Sequence, residues 1–540
     1  MNFPKNPYLL GILSGLLLSC AWPETGLFSG LIFVALIPLL RAEQVLRERR
    51  APLYQFALVA YLCCMLFNFF SLRWLLLVSE PVTVRLVSVL FPTLVNGLIM
   101  ALVLTLGSYI TRHVGLKEGA IGFVLCWLGF EYLHFNWELH FPWLTFGNVF
   151  ANQPWLVKWY AYTGVQGGSL WIWLVNFALF NMLFVQSKKI MNRNKVLIVL
   201  LIGIPILWSI SIQLPETDRQ EKVSVGLVQP NYDPYSDKYY TDPMLQVEEM
   251  LALSEQIGTV NVLVWPETAL QERTVIVQGD YEPQLIGLWE NQLDSSASVK
   301  HIKQWQKDYP NTDLLVGMSS RSWITSVDSV KFYSRPVAPF KGWYNNYNSA
   351  LWLNDSLDVY HKNKLVAGVE TFPYAGILKP LESLILDMGG TTGSLGRSNT
   401  PKIFGKTRVA PVICYESIFG EYIGQFVRQG ATWIAVITND GWWGDGAGYE
   451  QHLAYARLLA IAHQRWVVRA ANTGISCFIA PDGSIVKQTK WWTKDAIQHE
   501  IEQLHHQTFY TKYGDYIGRN ASFIAVLLVC LAVVRKRKNK

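Results

Sequence analysis

The chain has 540 residues, which is too long for one hydrophobic core and predicts at least two structural units. Charged residues make up 16% of it and hydrophobic residues 51%, whereas ordinary soluble domains carry roughly 25% charged residues. The net charge of +6 comes mostly from Lys and Arg in short loops between apolar runs and at the C-terminus. That placement is typical of membrane topology, so no nucleic-acid partner is expected.

Eight apolar stretches are long enough to approach the roughly 30 Å hydrocarbon layer of a membrane. They lie near residues 8–22, 26–42, 55–79, 84–110, 119–134, 164–187, 195–213 and 521–534. Basic residues follow every second stretch, in the loops 41–54, 111–118 and 187–195 and in the C-terminal tail. The positive-inside rule therefore predicts that these loops and both termini are cytoplasmic. We expect transmembrane helices in residues 1–213 and one more, with its basic tail, in residues 516–540.

The same alternation places residues 214–515 on the opposite side of the membrane, which is the periplasm in a bacterium. The loop 135–163 should lie on that side too, and it is rich in aromatic residues, including Trp143. Aromatic side chains concentrate at membrane interfaces. A plain aromatic belt and a substrate-contacting loop are both consistent with this composition.

Residues 214–515 have the pattern of a mixed α/β domain, with short β-rich runs separated by turns and helical stretches. Helices are predicted at 244–257, 299–308 and 448–463. Strands are predicted at 223–228, 260–265, 313–317, 349–353, 409–414, 433–437 and 477–480. No phosphate-binding loop or convincing metal-ligand spacing is present in the sequence.

Three polar residues follow predicted strands in positions where α/β enzymes commonly place their sites. They are Glu267 after the strand at 260–265, Lys362 after the strand at 349–353 and its turn, and Cys414 at the end of 409–414. Taken alone, each residue has an ordinary interpretation. Glu267 would be a surface residue, Lys362 would be solvated and Cys414 would belong to the core. Together they form a coherent site, because a thiol needs a base to become a thiolate and a cation to stabilise an oxyanion. A Cys-His dyad is the weaker interpretation, since no His stands at such a strand end.

These residues resemble the three motifs of the nitrilase, or carbon–nitrogen hydrolase, superfamily, whose Glu, Lys and Cys occur in this order. The matching segments are Pro266-Glu267, Tyr360-x-Lys362-x-x-Leu365 and Cys414-Tyr415-Glu416. Asn439 to Gly444 and Arg469 to Gly474 resemble later blocks that line the pocket. The resemblance implies a four-layer αββα domain, with Glu267 as base, Lys362 as oxyanion partner and Cys414 as nucleophile.

A nitrilase domain between multiple spans narrows the resemblance to the apolipoprotein N-acyltransferase family. Phe141-Pro142-Trp143-Leu144-x-Phe146-Gly147 is similar to that family's periplasmic-loop motif, which favours a substrate role for Trp143. The resemblance also implies pocket roles for Tyr415, Glu416 and Trp442.

The chain departs from the family pattern at two places. The family usually reads Leu-Val-Pro-Phe-Gly-Glu after the lysine, whereas this chain reads Leu-Val-Ala-Gly-Val-Glu over residues 365–370. The carboxylate at the same offset implies a supporting role for Glu370. A family tryptophan after the first strand of the domain is replaced by Tyr239.

The resemblance implies acyl transfer in the bacterial inner membrane, from a phospholipid donor through a Cys414 thioester to the diacylglyceryl-cysteine of an apolipoprotein. No metal or organic cofactor is implied. Two alternatives stay open: a membrane-tethered amidase that lets water attack the thioester, and a non-catalytic scaffold that binds lipid or lipoprotein. The intact trio argues against the scaffold, and seven spans before the domain exceed what tethering needs.

Overall fold

A computed structural model describes residues 5–23, 29–184, 188–214, 221–277, 284–337, 340, 342–354, 356–374, 377 and 395–538, and of residues 188–190 it describes only the backbone. Parts of three predicted segments, 26–28, 185–187 and 539–540, lie outside the described residues. The chain forms two compact units. One is helical and comprises residues 1–213, 446–462 and 508–540, and the other comprises residues 214–445 and 463–507.

The helical unit has a helix at each of the eight positions where the sequence predicts a membrane span. Within residues 1–213, this unit contains the helices α1 Pro7–Ala21, α2 Ile32–Ala35, α3 Ile37–Glu48, α4 Leu53–Leu72, α5 Val82–Phe91, α6 Gly97–His113, α7 Leu116–Asn136, α8 Tyr160–Thr163, α9 Val165–Phe184 and α10 Lys188–Ser211. The C-terminal helix is Tyr516–Lys538.

In the part of the chain that the structure describes, six helical segments are long and apolar enough to cross a membrane. They are Ser29–Glu48, Leu53–Leu77, Val82–His113, Val165–Phe184, Met191–Ser211 and Tyr516–Lys538. The first helix, Pro7–Ala21, has only 15 residues, and Leu116–Asn136 carries the buried Glu131. The chain is therefore a membrane protein by the length and composition of its helices, while the count of eight spans stays a prediction.

The second unit contains two large β-sheets. Its strands are β1 Lys222–Gln229, β2 Val262–Val264, β3 Val275–Val277, β4 Gln284–Ile286, β5 Asp313–Ile324, β6 Arg335–Pro336, β7 Trp343–Leu353, β8 Leu357–His361, β9 Val409–Ile413, β10 Trp433–Thr438, β11 Val467–Ala471, β12 Cys477–Ile479, β13 Ile485–Gln488 and β14 Asp495–Glu502. The first sheet has the order β14-β1-β2-β5-β7-β6, with β8 paired to β7. The second has the order β13-β12-β11-β10-β9.

The layers of this unit follow from its buried apolar faces. Helices α11 Pro243–Ile257 and α12 Ala297–Gln306 bury Val247, Met250 and Ile302 against residues of the first sheet. On the far side of that sheet, β1 contacts β11 and β7 contacts β9. Helix α13, Gly420–Arg428, packs on β9. The predicted αββα arrangement is confirmed.

The sequence analysis did not predict several strands that lack a continuous apolar pattern. Strand β14 forms the edge of the first sheet, pairs only through β1, and alternates polar residues on a partly exposed face. Strand β8 was also missed, so Lys362 follows this strand directly instead of following the strand at 349–353 and its turn. Strand β11 contains the fully buried Arg469, which interrupts its apolar run.

Candidate active site

Glu267 lies on a tight turn after β2, and the neighbouring strand β5 holds that turn. The backbone N of Gly317 donates to the carbonyl of Pro266 at 3.1 Å. A Cβ at Gly317 would lie 2.5 Å from both the Pro266 O and the Thr268 N, so only glycine admits the turn there. Thr268 has a φ of 48°, a left-handed conformation that a β-branched residue adopts only under constraint. The fold therefore fixes the direction of the Glu267 side chain.

The Glu267 carboxylate is buried and bonded on both oxygens. Its Oε1 accepts from Asn348 Nδ2 at 2.8 Å and from Lys362 Nζ at 3.2 Å. Its Oε2 accepts from the backbone N of Asn439 at 3.1 Å. Asn348 belongs to the first sheet and Asn439 follows β10 of the second. This one carboxylate thus joins the strand ends of both sheets.

Lys362 begins the segment after β8, and its ammonium group contacts two carboxylates. Its Nζ lies 2.9 Å from Glu370 Oε1 and 3.2 Å from Glu267 Oε1, and the side chain is 1% exposed. Burial alone lowers the pKa of a lysine, but the charges of Glu370 and Glu267 together raise the pKa of Lys362 well above its ordinary value. Lys362 is therefore positively charged at neutral pH in a buried position.

The loop 365–370 departs from the family pattern, but it still positions the Glu370 carboxylate against Lys362. Gly368 has a φ of 83°, and the N of Glu370 donates to the Val366 carbonyl at 2.9 Å. The second oxygen of Glu370 accepts from the Val366 N at 2.8 Å. A glycine in the left-handed region makes the tight turn without the proline that the family usually has.

Cys414 lies at the junction between β9 and the short 3₁₀ helix Cys414–Ile418. Its φ of 50° is strained for a non-glycine residue. The residue is buried, with 9% of its surface exposed. Burial, together with the charge of Glu267, raises its pKa well above the ordinary value, while Lys362 and a hydrogen bond with Thr438 oppose that rise. The resting side chain is therefore a protonated thiol, and its activation requires a base.

Glu416 is fully buried and bonds the backbone on both sides of the site. Its Oε2 accepts from the Ile413 N at 2.9 Å. Its Oε1 accepts from the Asn363 N at 2.7 Å and from the Tyr360 hydroxyl at 2.7 Å. Burial raises the pKa of Glu416, and the backbone N–H donors oppose this shift. The contacts tie the end of β9 to the segment that carries Lys362.

Three aromatic residues expected near the pocket lie in the same unit as the trio. Tyr415 is buried, and its ring meets that of Phe419 edge-on. Tyr239 is 46% exposed, and its ring centroid lies 6.1 Å from that of Trp442. Tyr235 donates to the Trp442 carbonyl at 3.0 Å. Tyr239 and Trp442 therefore form one aromatic surface.

Trp143 belongs to the helical unit, where it contacts the helix Ala447–His463. Its Nε1 donates to Gln451 Oε1 at 2.6 Å, and its carbonyl accepts from the Tyr455 hydroxyl at 3.1 Å. Its ring also stacks on that of His452, with centroids 6.0 Å apart. These contacts hold the predicted periplasmic loop in a defined conformation.

Sequence reasoning missed Asn348 and Lys238. Asn348 Nδ2 bonds Glu370 Oε1 at 3.1 Å as well as Glu267, and it is buried. A signal exists, because three asparagines interrupt the otherwise strand-like segment 343–353. Lys238 is buried beside Glu267, but it sits in a polar turn where the sequence offers no such signal.

Two family models match separate parts of the chain. Residues 224–508 match the carbon–nitrogen hydrolase family, and residues 14–178 match the family described as apolipoprotein N-acyltransferase N-terminal domain. Curated relatives include the apolipoprotein N-acyltransferases of Chlorobaculum tepidum, 29% identical over 99% of this chain and 98% of that protein, and of Haemophilus influenzae, 26% identical over 98% and 96%. That of Geobacter metallireducens is 27% identical over 99% and 96%.

Two solved structures that are similar to the chain each cover slightly more than half of it. Saccharomyces cerevisiae Nit3, a member of branch 10 of the nitrilase superfamily, aligns with a TM-score of 0.36 and 17% identity over 52% of this chain and 90% of its own. An amidase from Nesterenkonia sp. aligns with a TM-score of 0.36 and 14% identity over 57% and 99%.

Proposed function

The chain belongs to the carbon–nitrogen hydrolase family, and we propose that it is an apolipoprotein N-acyltransferase. The curated relatives that carry this name align with it over nearly their whole length. The match of residues 14–178 to the N-terminal domain of such enzymes supports the same activity. The chain would move an acyl chain from a phospholipid to the α-amino group of a diacylglyceryl-cysteine at the N-terminus of a lipoprotein.

In the first half-reaction, Glu267 takes the proton of the Cys414 thiol as the sulfur attacks an ester carbonyl of the phospholipid. The raised pKa of the thiol makes this base necessary. Lys362 and backbone N–H groups just after Cys414 stabilise the tetrahedral oxyanion. The intermediate collapses to a thioester on Cys414, and the lysophospholipid alkoxide leaves with the proton that Glu267 held.

In the second half-reaction, the amine of the lipoprotein attacks the thioester carbonyl. Glu267 accepts the amine proton, and the same oxyanion partners act again. The amide bond forms, the C–S bond breaks, and the Cys414 thiol regains its proton. The two substrates thus use the site in turn, which predicts ping-pong kinetics.

The helical unit supports a lipid-linked reaction. Both proposed substrates are anchored in a bilayer, and moving an acyl chain into water costs roughly 0.8 kcal/mol per methylene. We therefore place the enzyme in the bacterial inner membrane, with residues 214–515 in the periplasm and both termini in the cytoplasm. The basis for this orientation is the positive charge of the loops and of the C-terminal tail.

The shared contact of Lys362 with Glu267 and Glu370 is the observation that carries the proposal. A charged lysine and a hydrogen-bonded carboxylate that lie in the same unit as a strained, buried cysteine support an enzyme, because a lipid-binding scaffold would not need them. The test is to incubate the purified protein with phospholipid and a synthetic diacylated lipopeptide that has a free N-terminal amine. We expect the triacylated peptide and lysophospholipid in equal amounts. Free fatty acid without triacylated peptide would instead support the hydrolase.

A further inference from the structure

Lys238 is a buried lysine that lies beside the candidate site and that no motif identified. It stands in the turn between β1 and α11 and is 2% exposed. Its Nζ donates to the Glu267 carbonyl at 3.0 Å and to Thr268 Oγ1 at 2.6 Å. Lysine is almost never fully buried unless its charge is compensated. Its position against the Glu267 turn therefore calls for an explanation.

The backbone around Lys238 is held in place from both sides. Its N donates to the Asp233 carbonyl at 2.9 Å. Its carbonyl accepts from Gln246 Nε2 at 2.8 Å, and Gln246 lies in the first turn of α11, which Asp242 caps. These contacts fix the backbone from which the Lys238 side chain reaches the Glu267 turn. Its two acceptors belong to the same turn on which Thr268 has its left-handed φ.

The carboxylates of the site outnumber the cation that Lys362 provides, so a second cation would balance the remaining negative charge. Two carboxylates, Glu267 and Glu370, share the single ammonium of Lys362. Asp440 also raises the pKa of the Cys414 thiol, but its carboxylate is paired with Arg469 at 2.5 Å. Without another positive charge, the group of Glu267, Glu370 and Lys362 has a net charge of −1, which disfavours a thiolate.

Lys238 can supply that charge at neutral pH. Burial lowers its pKa to about 8, while the charges of Glu267 and of an ionised Cys414 act in the opposite direction. The interaction with Cys414 is reciprocal, so a protonated Lys238 favours the thiolate. Above pH 8 this lysine becomes increasingly neutral, and its effect on the thiol declines.

We propose that Lys238 is a positioning residue of the active site, which fixes the Glu267–Thr268 turn and adds the second positive charge that favours the Cys414 thiolate. This inference rests on the proposed function, because it takes Cys414 as the nucleophile and Glu267 as its base. It extends the trio to a set of four charged or ionisable groups with two cations.

The test measures the rate at which iodoacetamide alkylates Cys414 in the full-length protein, followed by mass spectrometry of the Cys414 peptide. No lipid substrate is needed. At pH 7 we expect Lys238→Met to react about tenfold more slowly, as for a shift of about one pKa unit, and Lys238→Arg to stay within about threefold of the wild type. Lys222→Met is the matched control, since Lys222 pairs with Glu500 on the surface, and it should not change the rate.

The inference is overturned if Lys238→Met reacts as fast as the wild type, or if Lys238→Arg is as slow as Lys238→Met while its unfolding temperature is unchanged. A second measurement covers the case in which Lys238→Met does not fold. The ratio of the Lys238→Arg rate to the wild-type rate should rise between pH 7 and pH 9.5, because only arginine stays charged; a constant ratio contradicts the proposal. If these rates behave as expected but no lipopeptide is acylated, the proposed N-acyl transfer fails, whereas the effect of Lys238 on the Cys414 thiol is retained.

Discussion

Glu416 Oε1 accepts a hydrogen bond from the backbone N of Asn363 at 2.7 Å, and this contact joins the segment after Cys414 to the segment after Lys362. The other oxygen of Glu416 accepts from the Ile413 N, directly before the nucleophile. A single carboxylate therefore sets the distance between the proposed nucleophile and its cation, although it need not touch substrate.

We predict that Glu416→Gln destabilises the protein and slows acyl transfer. The amide nitrogen of glutamine would face a backbone N–H, which leaves a buried donor unpaired at a cost of about 1–3 kcal/mol. Thermal unfolding of the purified protein measures this as a lower apparent melting temperature. Glu500→Gln is the control, because Glu500 is exposed and its ion pair with Lys222 contributes little. Equal melting temperatures for the two variants would contradict the bridging role.

Gly317→Ala should reduce activity by orders of magnitude while the chain still folds and inserts. The added methyl would collide with the Pro266 carbonyl and the Thr268 N, so the turn that carries Glu267 must move. An error of about 1 Å in the position of a catalytic group can cost about 100-fold in rate. Gly203→Ala is the control, because no atom lies within 4 Å of a Cβ there. Wild-type activity in Gly317→Ala would show that the position of the turn is unimportant.

The pH dependence of Cys414 alkylation follows from the raised pKa of its thiol. A raised pKa means that the thiolate fraction at neutral pH is small, so the rate should still be rising above about pH 9.5, where an ordinary thiol with a pKa of about 8.5 is almost fully ionised. Lys362→Met should be slower still at neutral pH, since the charge of Lys362 lowers the pKa of the thiol. A rate that levels off below pH 8 would mean that the resting cysteine is already a thiolate.

The orientation in the membrane can be tested by labelling single cysteines in whole cells with a membrane-impermeant maleimide. The exposed Cys530 is first replaced by serine. A cysteine at Lys222 should then be labelled in intact spheroplasts, whereas one at Arg49 should react only after lysis. The reverse pattern would place the catalytic unit in the cytoplasm, away from the proposed lipoprotein substrate.

The sequence predicted those parts of the fold whose residues carry a local pattern. The apolar spans and the buried strands such as β9 and β10 are continuous runs, and the helix at 244–257 is found as Pro243–Ile257. The polar edge strand β14 has no such run and depends on its pairing with β1. Tertiary pairing, which a single sequence does not display, defines these elements.

The residues of the candidate site also differ in whether a local sequence pattern identifies them. Glu267, Lys362 and Glu370 were identified from motifs, and the structure places them in contact. Lys238 and Asn348 come near them only because separate loops and strands converge. The loop 365–370 lacks the proline of the family pattern, and Gly368 with its positive φ provides the turn instead.

The most direct test of the account is mass spectrometry of the intact protein after incubation with phospholipid, followed by addition of a diacylated lipopeptide. The wild type and Cys477→Ala should gain one acyl group as a thioester on Cys414, and the adduct should persist in buffer and disappear when the lipopeptide is added. Cys414→Ala and Cys414→Ser should gain no thioester, and Glu267→Gln should hardly form it. Rapid thioester formation in Glu267→Gln, or an adduct on Cys477 in place of Cys414, would contradict the assigned roles, and prompt decay in buffer alone would identify a hydrolase.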